Sequence, residues 1–115
     1  MYDLKIYRNQ WIEAYFQGDT SMLNYIEAED FFVNENGAIL TKEIRLSRIN
    51  NLMSVKKWCP IPIEQENLEF SYIDENECLI KGIFFSNPHY INILEKWIIE
   101  KNMWKIKYLV IKSMS

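Results

Sequence analysis

The sequence predicts an α+β domain in which three helices pack on one face of a mainly antiparallel sheet. Three observations predict it. Apolar residues recur at three- and four-residue steps over residues 3–17 and 42–54. From Leu68 onward they alternate instead with period two, and no further helical stripe follows. Short polar breaks, Glu35-Asn36-Gly37, Asp74-Glu75-Asn76, Ser86-Asn87-Pro88 and Glu100-Lys101-Asn102, divide the extended runs at hairpin spacing. No repeat, low-complexity run or linker interrupts residues 1–115, so the chain reads as a single domain, long enough to bury about two-thirds of its unfolded surface.

In chain order, Leu4, Tyr7, Trp11 and Tyr15 form the stripe of the first helix, Ile12 and Phe16 widen it, and Gly18 ends it. Asp19-Thr20-Ser21 offers cap oxygens to a second helix at residues 21–29, whose apolar positions are Met22, Leu23, Tyr25 and Ile26. Phe31-Phe32-Val33 and Ala38-Ile39-Leu40 flank Asn36-Gly37, which is the strongest short-range hairpin signal. Thr41 caps a third helix over 42–54, with Glu43 in the first turn where the helix dipole favours an acid. Pro60 and Pro62 push the residues before them toward extended geometry, so residues 56–62 form a link. Leu68, Phe70 and Tyr72 alternate with polar neighbours, and residues 78–85 run back beside them.

The last hairpin, residues 90–112, is the longest. A two-residue turn at Lys101-Asn102 sets Ile99 opposite Trp104, Trp97 opposite Ile106, Glu95 opposite Tyr108 and Ile93 opposite Val110, all on one face. The same register sets Lys96 against Lys107, an unfavourable pair that a one-residue bulge relieves. The opposite face carries Leu94, Ile98, Leu109 and Ile111 and is too apolar for a wetted surface. A second subunit is expected to cover it, giving a homodimer through the sheet.

Composition narrows the partners. With 49% hydrophobic and 15% aromatic residues, the chain calls for a large core or a lined cavity. A net charge of −3 argues against nucleic acid or an anionic membrane, since both need a clustered basic surface. The first residues show no basic segment followed by an apolar run, and no apolar stretch approaches the length of a membrane span. Cys59 and Cys78 lack CxxC spacing and companion ligands, so they read as reduced thiols of a cytoplasmic protein, with burial as small hydrophobes expected. His89, beside Pro88 in a turn, is the one histidine; no metal and no cofactor are expected.

Three stretches carry a resemblance: Trp11-Ile-Glu-Ala-Tyr-Phe-Gln-Gly-Asp19, Phe32-Val-Asn-Glu-Asn-Gly37 with Leu40-Thr-Lys-Glu43, and Trp97-Ile-Ile-Glu-Lys-Asn-Met-Trp104-Lys-Ile106. With the order of elements, they resemble the nuclear transport factor two-like superfamily, which includes SnoaL-like cyclases and ketosteroid isomerase, and above all its small bacterial branch. The resemblance implies a cystatin-like cone, a strongly curved sheet wrapped around the helices in the order α-α-β-β-α-β-β-β-β. It also implies a pocket in the mouth of the cone and commonly a homodimer. No His–Asp pair or other acid–base set stands where enzymes of the superfamily carry theirs.

The candidate chemistry is therefore sparse. Glu95 beside Tyr108 is the candidate catalytic pair, because a carboxyl enclosed by Trp97 and Trp104 is desolvated and its pKa rises toward neutrality. The alternative places Glu95 at a wet rim, merely accepting a hydrogen bond from Tyr108. Tyr15, Trp58, Tyr72, Trp97 and Trp104 are candidates to line a pocket for a small apolar ligand, or else plain core. The leading expectation is a non-catalytic ligand-binding or protein-interaction homodimer. An immunity protein whose acidic surface covers a basic toxin is the second, and a SnoaL-like isomerase, cyclase or dehydratase using Glu95 and Tyr108 is the third.

Overall fold

The computed structural model describes residues 3–86 and 88–113. Asp3 starts α1 (Leu4–Gln17) by accepting a 2.9 Å bond from the Lys5 amide, and Gly18 ends it in the left-handed conformation, φ 70°. A side chain at Gly18 would crowd its neighbours, because a Cβ there would run into Met53 Sδ and lie 2.9 Å from Trp58 Cδ1. Asp19 caps α2 (Thr20–Ile26) through the Met22 amide. The second helix is shorter than expected. Residues 27–29 leave it because Glu27 is extended, at φ −76° and ψ 132°, and opens β1 (Glu27–Glu35) beside β6.

Asn36 and Gly37, both at positive φ, turn β1 into β2 (Ala38–Thr41), as Asn-Gly predicts. Thr41 accepts from the Ile44 amide to start α3 (Lys42–Ser54). Four long strands follow: β3 (Glu64–Asp74), β4 (Glu77–Ser86), β5 (His89–Glu100) and β6 (Met103–Ser113). His89 is thus the first residue of a strand and is exposed, while Asn87 of the expected Ser86-Asn87-Pro88 turn lies outside the described residues.

The six strands form one sheet in the order β2-β1-β6-β5-β4-β3. All neighbours are antiparallel except β1 and β6, which run parallel and so join the first hairpin to the meander. The α+β architecture and element order are those the sequence predicts. Helices cover the inner face, where Trp97, Phe31, Ile80 and Ile106 are fully buried with Leu4, Leu23 and Ile26 from above. Burying each such aliphatic or Phe side chain contributes roughly 1.5–3 kcal/mol.

The last hairpin turns at Lys101-Asn102, φ 53° and 67°, and pairs Ile99 with Trp104 and Trp97 with Ile106 as expected. Beyond that point the register shifts by one residue. Lys107 is the extra residue; it escapes Lys96 and instead bonds both carboxylate oxygens of Asp30 at 2.7 Å. The shift corrects the expected partners. Glu95 pairs with Leu109 rather than Tyr108, and Ile93 with Ile111 rather than Val110. Leu109 therefore turns inward and is buried, Ile111 packs against the core, and Tyr108 and Val110 take the outer face with Leu94 and Ile98.

Candidate functional site

Two arginines reach from the helices to two glutamates on the inner face of the sheet. Arg8 lies on the buried side of α1, one turn after Leu4 and one before Trp11. Its Nε donates to Glu95 Oε1 at 2.8 Å and its Nη2 to Glu95 Oε2 at 2.7 Å, a two-bond clamp. The third nitrogen, Nη1, donates to Gln65 Oε1 on β3. Trp97 Nε1 adds a 2.8 Å bond to Glu95 Oε1. Glu95 is 0% exposed, so it is enclosed, and three donors occupy it.

The second pair stands nearer the start of β1. Arg45, on the buried side of α3, donates through Nη1 to Glu27 Oε2, which also accepts a 2.9 Å bond from Trp11 Nε1. The Arg45 guanidinium lies 5.5 Å from the ring centres of both Tyr15 and Phe31. Glu27 is 0% exposed, and its other oxygen, Oε1, has no hydrogen-bond partner among the described residues. Burial pushes the Glu27 carboxyl above its ordinary range, against the pull of Arg45, the Trp11 bond and Lys42. Lys42 donates to the Asn24 and Glu27 carbonyls at 3.0 Å each, and burial holds its ammonium below the usual value. Burial likewise raises the Tyr15 phenol, with Arg45 opposing.

The expected site residues fall in different places. Glu95 and Tyr108 are on opposite faces of the sheet: Tyr108 stacks on Phe32 at 5.6 Å on the outer side. Period-two alternation read through an unbulged hairpin put them together, and the bulge at Lys107 separates them. Trp97 packs edge-on against Trp11 at 5.8 Å in the core. Tyr15 meets Trp58 at 5.1 Å, and Trp58 Nε1 donates to the Tyr15 carbonyl, tying the link to the end of α1. Tyr72, largely exposed, touches the buried Trp104 at 6.3 Å. Cys59 is exposed rather than buried because the Pro60 link runs over the surface. Cys78 is buried, which raises its thiol above the usual value. Among the described residues, no group of three or more His, Cys, Asp or Glu is placed to hold a metal ion.

Arg8, Arg45, Glu27 and Gln65 were not foreseen. Arg8 was detectable: Leu4, Arg8, Trp11 and Tyr15 follow four- and three-residue steps, which put the charge in the apolar stripe of α1. Arg45 holds the same position relative to Ile49 and Leu52. Neither glutamate carries such a local signal.

On the outer face of β4, β5 and β6 lies an open hollow of about 410 Å³, lined by Lys81, Gly82, Ile83, Asn92, Ile93, Leu94, Val110 and Lys112. Its apolar residues alternate with lysines along and across the strands. No helix of the described residues is long and apolar enough to cross a membrane.

No family model matches the sequence, and no curated protein matches it significantly. Solved structures do. An NTF2-like protein from Cytophaga hutchinsonii superposes with a TM-score of 0.80 at 13% identity, covering 99% of this chain and 100% of that one. An NTF2-like protein of unknown function in nutrient uptake from Rhodospirillum rubrum gives 0.78 at 13% identity over 99% and 100%. A cystatin-like fold protein from Burkholderia xenovorans gives 0.77 at 11% identity over 97% and 89%. At these identities the likeness concerns the fold, and it shows that this chain folds as the NTF2-like, cystatin-like cone.

Proposed function

We propose that this protein is a non-catalytic, cytoplasmic interaction module that acts as a homodimer through the outer face of its sheet. The observation that carries the reading is that outer face. Leu79, Leu94, Ile98 and Val110 project from it beside the stacked Phe32 and Tyr108, while every helix packs on the opposite side. A twofold axis through such a face sets the same apolar rows against each other, and about 800 Å² per partner is enough for a stable contact. Lysine side chains can lay their stems along such rows and carry their charges out to the margin of a contact. Val110 and Tyr108 take the places in this interface that Leu109 and Ile111 held in the sequence reading.

The inner face supports the non-catalytic part. Glu95 accepts three hydrogen bonds from Arg8 and Trp97, so both of its oxygens are held by the protein's own donors. Tyr108, on the other side of the sheet, gives it no help. The unpaired cysteines Cys59 and Cys78 support the cytoplasmic reading.

Light scattering coupled to size-exclusion chromatography tests the reading. Wild-type protein is expected at twice the chain mass, and the Leu94→Lys/Val110→Lys variant at the mass of one chain. A wild-type monomer at tens of micromolar, or a variant that remains dimeric, contradicts the interface.

A further inference from the structure

Strand β3 ends the sheet. It pairs with β4, and among the described residues no other helix or strand runs alongside it. All of its residues except Phe70 are exposed, so its outward N–H and C=O groups face solvent. Its first half is interrupted: Asn67, at φ 54°, and Leu68 together oppose Gly82 in a bulge between the Glu66 and Glu69 pairings. The second half pairs regularly with β4 from Glu69 to Tyr72, and Ile73 is a further extra residue before Asp74 pairs with Glu77. Tyr72 and Ile73 are 56% and 57% exposed.

Charge selects the occupant. Between Trp58 and Ile80 the chain has six acids, Glu64, Glu66, Glu69, Asp74, Glu75 and Glu77, and no lysine or arginine. None of the six is in an ion pair among the described residues. Lys81 stands opposite Glu69 on β4 and Lys5 sits over the Phe70 ring, yet neither bridges to them. Edge-to-edge pairing with a second copy would set these carboxylates against one another, which disfavours self-association at this edge. A strand carrying lysine or arginine at alternate positions meets the same acids favourably and completes the backbone ladder.

We propose that residues 69–74 of β3 take up a basic, extended segment of another protein as a seventh strand. The proposal rests on the reading of the chain as an interaction module, names the chemistry of its partner, and uses a surface separate from the outer-face dimer. A monomeric wild type would remove the dimer and leave this edge intact.

The probe is the capped hexapeptide Lys-Val-Lys-Val-Lys-Val, titrated into 15N-labelled wild-type protein and followed by amide shifts and hydrogen exchange. Shift changes and new amide protection within residues 69–74 are expected. Binding should weaken at least tenfold when valine is replaced by proline, which cannot donate to the ladder, and at least tenfold in the Glu69→Lys/Asp74→Lys protein. No binding, protection elsewhere, or equal binding of the proline peptide to wild-type protein overturns the proposal. The proline comparison stands whether or not the variant folds.

Discussion

Arg8 and Arg45 each hold a glutamate that water does not reach, and the two pairs differ in what they leave over. Glu95 has a donor for each oxygen, whereas Glu27 keeps one oxygen without a partner. Arg8→Met is expected to cost about 3–5 kcal/mol, because it strands a buried carboxylate; urea unfolding measures it. Adding Glu95→Gln removes the stranded charge and keeps an acceptor for Trp97, so the double variant should regain part of that loss. The second pair predicts a pH dependence. The folded-state pKa of Glu27 lies above its ordinary value of 4.5, so the folded protein holds a proton that the unfolded chain has lost. This contribution is fully present below pH 4.5, falls as pH rises toward the folded pKa, and is flat beyond it. Glu27→Gln, beside the same Arg45 and Lys42, should lack that fall, which urea midpoints measured from pH 4 to 8 will show against wild type.

At the level of the elements, helix ends and hairpin turns are set by single residues. Gly18 joins α1 to α2 at φ 70° and lets Met53 and Trp58 close over the joint. Gly18→Ala should lose about 1–2 kcal/mol for its backbone alone and more if the Trp58 ring has to shift, read from thermal or urea unfolding. Such elements were legible because their signals are local: Gly18, Asp19, Thr41, Asn36-Gly37 and Lys101-Asn102 act within a few residues. The end of α2 was not. Nothing near Glu27 in sequence says that Trp11 and Arg45 bond its side chain and β6 pairs with its backbone. The bulge at Lys107 was legible only as a conflict with Lys96; its consequence, the separation of Tyr108 from Glu95, depends on which strand gives way. The sequence left open whether Glu95 is enclosed or at a wet rim; its burial, and its contact with Arg8 rather than Tyr108, depend on α1 packing across the sheet.

Across the whole molecule, the sheet has three surfaces of different chemistry. The inner face holds the helices by apolar burial around two arginine–glutamate pairs. The outer face alternates apolar rows with lysines, and the β3 edge is acidic and unpaired. In the proposed reading, the interior stays closed and partners dock on the outside. Amide spectra recorded from about 10 µM to 1 mM protein test it most directly. Concentration-dependent shifts centred on Leu79, Leu94, Ile98, Tyr108 and Val110, with α1 and α3 unchanged, are the predicted result; invariant spectra of a monomer, or shifts centred on Tyr15 and Trp58, would contradict it.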